Sequence, residues 1–249
     1  MENLVSEARV TKDSHDSPGR IKDRFPSALS NRSVWIFDLD NTLYPAENEL
    51  FSQIDMRMGD FISNLLGVDL KQAKVIQKDY FAKYGTTLAG LMDHHGVDPD
   101  HFMDFVHDID VTAIKPDAEL AEGLRRLPGQ KYVFTNGSGK HARRILSRLN
   151  IEQELAGVFD LSHSGYIPKP QPEAYLAFVD HFGIQAEDSV MIDDMARNLV
   201  PASAMGMATV WLQTGNKWGE LGHVSSSIDM VIKSLGSWLG NPRGGSNYD

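Results

Sequence analysis

Hydrophobic residues in this chain follow two rhythms. Short continuous apolar runs stand at 33–39 (SVWIFDL), 131–136 (KYVFTN), 156–161 (AGVFDL), 188–194 (DSVMIDD) and 207–212 (MATVWL). Runs of this length, rich in large apolar residues and with no alternation, predict strands buried on both faces, as in a parallel sheet. Between them, 141–151 (HARRILSRLNI) and 172–184 (PEAYLAFVDHFGI) repeat their apolar positions at helical spacing. Strands alternating with helices predict an α/β fold, a Rossmann-like parallel sheet with helices on both faces.

The rhythm changes after the first strand. From 47 to 115, apolar residues recur at helical spacing in ELFSQIDMRMGDFISNLLG, QAKVIQKDYFAKYG and HFMDFVHDI, and no strand pattern interrupts them. This predicts an all-helical insertion over 47–115 between the first strand and the rest of the sheet. The sheet domain is then expected over 31–46 and 116–240. Polar residues 1–30 and 241–249 show no hydrophobic period and are expected to be a flexible arm and tail.

Composition narrows the chemistry. The chain has no cysteine, which removes disulfides, thiolate metal sites and cysteine nucleophiles. A net charge of −10 argues against nucleic acid and anionic membranes as partners, while leaving room for a small anionic metabolite. No apolar run reaches the roughly 20 residues needed to span a bilayer. The first residues lack the apolar core of a secretory signal, so a cytoplasmic location is expected.

The predicted strands end in polar groups that a parallel sheet gathers at one edge, where ligands of open α/β folds bind. These are Asp38 and Asp40, Thr135 and Asn136, and Asp193 and Asp194, with Lys169 in the loop after the third strand. Carboxylates crowded together repel and call for a cation, and an all-oxygen set suits Mg²⁺. A carboxylate beside that cation can attack phosphorus. A second can pass protons to and from the leaving group and water. Lysine, threonine and asparagine can hold the phosphate oxygens.

Each piece has a plainer reading. Asp-x-Asp-Asn suits a turn, 135–138 suits a helix N-cap, and Asp193 or Asp194 can cap the helix that follows. Gly139-Lys140 is not a P-loop, because Phe134 stands where the first glycine is required and His141 where a hydroxyl residue is. His94, His95, His101 and His107 fit no standard metal spacing and are expected at the surface.

Taken in order, Asp38-Leu39-Asp40-Asn41-Thr42, Thr135, Lys169-Pro170 and Asp193-Asp194 resemble the four motifs of the haloacid dehalogenase superfamily. That resemblance implies Asp38 as nucleophile and Mg²⁺ ligand. It implies Asp40 as acid/base, with its backbone carbonyl on the metal. It further implies Thr135 and Lys169 on phosphate, Asp194 on the metal and Asp193 in support, while Asn136 is expected on phosphate from its place at the end of the same strand as Thr135. Asn198 stands where many relatives carry another acidic residue, and a supporting role is expected there. The insertion resembles the helical C1 cap of the superfamily, with residues 41–50 as its hinging flap.

WIFDLDNTLYP, YGTTLAGLM, VFTNGSGKHARRIL, GYIPKPQPEAY and SVMIDDMARNL together resemble the pyrimidine 5′-nucleotidase group, partly through Tyr84, Thr86, Thr87 and His94. This implies substrates such as UMP or CMP. A sugar phosphate or phosphoglycolate is the alternative substrate. A phospho-accepting receiver module is the alternative of another class, although receivers place the acidic pair after the first strand. A metal-free haloacid dehalogenase would have no use for Asp40 or the acidic pair.

Overall fold

The computed structural model describes residues 25–45, 50–241 and 246–247, the last pair as backbone only. Most of the expected N-terminal arm, the middle of the expected flap and most of the expected tail lie outside these residues.

Each of the five predicted apolar runs forms a strand. They are β1 (Val34–Phe37), β2 (Gln130–Phe134), β3 (Gly157–Phe159), β4 (Ser189–Asp193) and β5 (Ala208–Leu212). A short β6 (Met230–Ile232) follows, and β7 (Ser246–Asn247) closes the edge. The order is β3-β2-β1-β4-β5-β6-β7, parallel throughout except for the β6–β7 pair. Two readings of the chain ends need correction. Ser246–Asn247 pairs with β6 where only an irregular tail was expected. Phe25, from the expected arm, lies 5.0 Å from the Trp35 ring, and Leu29 is buried, because these two apolar residues cover an otherwise open face of the sheet.

The insertion is helical, as its spacing predicts. It comprises α1 (Leu50–Leu66), α2 (Leu70–Tyr84), α3 (Thr87–His95) and α4 (Pro99–Val106). Its boundaries are written in the sequence. Asp69 and Gln72 form a reciprocal capping box at the start of α2. Asp98 caps α4, and Pro99 takes the first helical position, where its missing N–H costs nothing. Phe61, Ile62, Leu88, Leu91, Phe102 and Val106 form the core of this segment, which Leu161 and Tyr166 of the sheet domain join. At roughly 1.5–3 kcal/mol for each large apolar side chain fully buried, that core can hold four short helices together.

Five further helices belong to the sheet: α5 (Ala118–Arg126), α6 (Gly139–Leu149), α7 (Pro172–Phe182), α8 (Ala196–Ala204) and α9 (Leu235–Gly240). Separate apolar clusters cover the two faces of the sheet, one around Trp35, Phe37 and Ile145 and the other around Ile36, Phe134 and Phe178. No helix among the described residues is long and apolar enough to cross a membrane.

Register places the chemistry. Phe37 pairs with Val133 on one side and Ile192 on the other. Asp38 therefore stands level with the end of β2 and with Asp193 of β4. The chain leaves β1 toward β2 and leaves β4 toward β5, in opposite directions. The crevice lies where such connections diverge.

Candidate active site

Asp38 follows β1 directly, and its N–H donates to the Ile192 carbonyl at 2.9 Å, which extends the ladder by one residue. Lys169 arrives from the loop before α7 and is 1% exposed. Its Nζ donates to Asp38 Oδ1 at 2.8 Å, to Asp193 Oδ2 at 2.8 Å and to the Phe134 carbonyl at 2.7 Å. All three ammonium protons are spent. Burial works against the charge of Lys169, but Asp193 and Asp38 outweigh it and hold the ammonium above its ordinary value.

Asp38, Asp193 and Asp194 each offer a carboxylate oxygen, and these oxygens lie within 4.8 Å of one another. Burial is the main push on Asp38 and raises it to about 7. Lys169 opposes that push, while Asp193 and Asp40 add to it. Asp194 is raised well above the carboxylate range by burial first, then by Asp38 and Asp193. Among the described residues, Lys169 is the buried ammonium set against this negative charge. Asp193 is fully occupied: Oδ1 accepts from the Met195 N–H at 2.8 Å, and the Asn198 amide donates to both oxygens at 3.0 Å. Among the described residues no hydrogen bond reaches the Asp194 carboxylate. A buried all-oxygen set with one unengaged carboxylate fits a hard divalent cation such as Mg²⁺.

Asp40 sits one turn further on, after the backbone has begun to fold back. Asn41 takes a left-handed conformation (φ 63°), which an asparagine tolerates better than most residues. The turn leaves Asp38 and Asp40 lining the same cavity. Tyr44 donates to Asp40 Oδ1 at 2.6 Å, and His141 Nε2 lies 2.9 Å from that same oxygen. Burial alone would raise Asp40. The His141 imidazole and the hydrogen bonds from His141 and Tyr44 outweigh it and hold the carboxyl at about 2. Thr135 closes the floor, its Oγ1 accepting from the Gly137 N–H at 2.9 Å.

Asn136 lines the cavity, and its amide also meets the Lys169 backbone. Nδ2 donates to the Lys169 carbonyl at 3.0 Å, and Oδ1 accepts from the Lys169 N–H at 2.8 Å. Asn136 therefore fixes the loop that delivers Lys169. His107 departs from the sequence reading, being buried rather than at the surface. It caps the end of α4 and lies against the His141 ring, with centroids 4.3 Å apart and planes 11° from parallel. His141 was not singled out by the sequence at all. Its signal was position: it falls on the buried stripe of α6 with Ile145 and Leu149.

The helical segment forms the other wall of the cavity. Phe81, Thr86, Thr87, Gln77 and Lys78 line it from α2 and α3, facing Arg197 and Trp218 from the sheet domain. Phe81 meets Trp218 edge to face at 5.7 Å, and the Arg197 guanidinium lies 4.2 Å above the Phe81 ring. Arg197 also donates to the Gly85 carbonyl at 2.9 Å. Gly85 itself has φ 86°, and a Cβ there would lie 3.3 Å from the Lys169 carbonyl, so only glycine suits this approach. Of the four residues tied to a nucleotidase resemblance, Thr86 and Thr87 line the cavity. Tyr84 and His94 are not among its lining residues and instead bond to each other.

A family model for haloacid dehalogenase-like hydrolases matches residues 33–206. Phosphate metabolism protein 8 of Saccharomyces cerevisiae is 27% identical over 209 residues, covering 78% of this chain and 64% of its own length. The chain thus spans less than two thirds of that relative. A phosphoglycolate phosphatase of Rhodospirillum rubrum is 25% identical, with 85% of this chain and 92% of the relative covered. Among solved structures, a haloacid dehalogenase-like hydrolase from Streptococcus pneumoniae superposes with a TM-score of 0.59 at 15% identity, covering 85% of this chain and 98% of that one. At that identity the likeness is one of fold.

Proposed function

We propose that this chain, which belongs to the haloacid dehalogenase-like hydrolases, is a Mg²⁺-dependent phosphomonoesterase acting through a phosphorylated Asp38. The observation that carries the reading is the placement of two unlike carboxylates on one cavity: Asp38 neutralised by Lys169, and Asp40 with Oδ1 saturated and Oδ2 unengaged.

In this reading an Asp38 oxygen attacks phosphorus and the bond from phosphorus to the ester oxygen breaks. Asp40 gives its proton to the departing alkoxide. Asp40 then takes a proton from water, whose oxygen attacks the aspartyl phosphate, releasing inorganic phosphate and free Asp38. Asp40 is held low in the free site, and the negative charge of an incoming phosphoryl group raises its proton affinity toward the value that an acid needs. Lys169 offsets the charge of Asp38, so that an anionic ester can approach a carboxylate. Thr135 offers a hydroxyl to the phosphoryl oxygens. Asp194, Asp38 and the Asp40 carbonyl would hold Mg²⁺, which when bound supplies positive charge against the phosphoryl oxygens. Asp193 and Asn198 brace Lys169 and the backbone before α8.

Residues 47–115 act as a cap over the sheet domain and choose the leaving group. We assign that group as a pyrimidine nucleoside, giving UMP or CMP as substrate. Support comes from the nucleotidase-like motifs and from Phe81 and Trp218, an aromatic pair on the cavity wall. A small anionic ester such as phosphoglycolate is the second reading, favoured by Lys78 and Arg197 on the same wall. Phosphate release with Mg²⁺ from UMP, CMP, dUMP, dTMP, AMP, GMP, phosphoglycolate and glucose phosphates tests both. Preference for pyrimidine monophosphates supports the first assignment. Preference for phosphoglycolate replaces it, and release from none sinks the phosphatase reading.

A further inference from the structure

The most developed arrangement outside the four motifs is a chain of side chains behind Asp40. His141 is 0% exposed, yet it is polar and lies on the apolar stripe of α6. Its Nε2 meets Asp40 Oδ1 at 2.9 Å, while its Nδ1 has no hydrogen-bond partner. Leaving a ring nitrogen buried without a partner is costly, so packing alone does not explain a histidine there. The other donor on Oδ1 is the Tyr44 hydroxyl at 2.6 Å. Burial, then the charge of Asp40, raises that phenol well above its ordinary value, so it stays a donor.

Two donors on one oxygen fix the carboxylate in rotation. Oδ1 is turned into the protein and Oδ2 is left toward the cavity. Gly137 keeps that side open: a Cβ there would stand 3.6 Å from Asp40 Oδ2 and 3.2 Å from Thr135 Oγ1. A proton exchanged with substrate therefore has one place to sit, on Oδ2, between the acid/base carboxylate and the phosphate floor.

His141 is itself held from the helical segment. The His107 ring covers its face, and His107 Nδ1 lies 3.0 Å from Ser138 Oγ, which also accepts from the His141 N–H at 3.3 Å. The chain returning to the sheet is strapped to the same helix. Arg144 donates to the carbonyls of His107 and Ile109 at 2.8 and 2.7 Å.

We propose that His141 is a positioning residue for Asp40, holding Oδ1 through Nε2–H so that Oδ2 faces the leaving group, with His107 clamping the ring from the helical segment. This rests on Asp40 being the acid/base. The test uses two esters with Mg²⁺: the alkyl phosphate cleaved fastest in the panel above, and p-nitrophenyl phosphate, whose phenolate departs without a proton. His141→Phe keeps a ring against His107 but deletes the donor. It is expected to lower kcat/KM on the alkyl ester, which reads the steps through transfer to Asp38, by about 10²-fold, the scale of a misplaced catalytic group, with a much smaller loss on p-nitrophenyl phosphate. His141→Gln restores an N–H near Nε2 and should recover most of the lost kcat/KM.

Asp40→Asn separates the two layers of the argument. If it lowers kcat/KM on both esters equally, the acid/base reading fails and this proposal with it, whereas a loss of kcat common to both is expected from the water step, where Asp40 is the base for either ester. If Asp40→Asn shows the split while His141→Phe slows both esters alike, or neither, the positioning role alone is overturned. Recovery absent in a folded His141→Gln would overturn it too.

Discussion

Lys169 Nζ donates to Asp38 Oδ1 at 2.8 Å while reaching Asp193 Oδ2 at the same distance, so one buried ammonium holds together the ends of β1 and β4. Its removal strands two carboxylates, Asp193 fully buried and Asp38 reached by solvent only from the cavity. Lys169→Met is expected to lower unfolding free energy by about 3–5 kcal/mol, the usual cost of breaking a buried pair. Denaturant unfolding with and without Mg²⁺ checks this. A variant as stable as wild type in the absence of metal would mean that the carboxylates neutralise each other by sharing protons.

Asp38→Asn keeps the shape of the side chain and removes its nucleophilic oxygen. Turnover should fall by at least about 10³-fold while the far-ultraviolet circular dichroism stays native. Trapping with radiolabelled substrate should label the wild-type chain and not the variant. Appreciable turnover by a homogeneous preparation of Asp38→Asn contradicts the nucleophile assignment.

The reach of the sequence can be judged against these residues. Asp38, Thr135, Asp193 and Asp194 were legible because each ends a buried strand, and parallel register does the rest. Lys169 was legible only through its order among those motifs, since nothing local marks a loop lysine as buried. The hold of Asn136 on the Lys169 backbone was not legible, because the direction of an amide depends on where a distant loop comes to rest, here 33 residues away. The pairing of His107 with His141 spans 34 positions and links the helical segment to the sheet domain, and no periodicity encodes it. The short β6 and β7 were missed because Met230–Ile232 stands alone between the charged Asp229 and Lys233, and Ser246–Asn247 is polar.

Metal and proton compete for the same carboxylates. Chelation with EDTA should stop turnover and Mg²⁺ should restore it. The sign of the pH effect follows from the raised groups. Asp38 ionises near 3.8 in an unfolded chain but near 7 in the folded, metal-free one, so the unfolded state loses its proton first. Folding is then progressively disfavoured as pH climbs through that window. Asp194, raised in the same direction, adds to the effect. Asp40, held at about 2, is ionised in both states across most of the window and contributes little slope. The metal-free protein should therefore lose stability from about pH 4 toward 7, and Mg²⁺ should stabilise it most at the upper end, where the ligands are free of protons. Thermal melts across this range with EDTA or Mg²⁺ read both effects. A Mg²⁺ stabilisation that does not change with pH would place the ion elsewhere.

Trp218 separates the two substrate readings. Its ring meets Phe81 edge to face at 5.7 Å on the cavity wall, and Lys78 Nζ lies 5.2 Å from its centre. A nucleobase seated there would stack, and stacking on an aromatic side chain is worth about 1–3 kcal/mol per base. Trp218→Ala should accordingly raise KM for UMP by roughly 5- to 100-fold, with kcat changed far less. Phosphoglycolate has no ring to stack, so the same substitution should move its KM little. Steady-state kinetics on the two esters decides the matter. Equal shifts on both would show that Trp218 shapes the cavity wall without touching a base, and an effect confined to phosphoglycolate would give the cavity to small anionic esters.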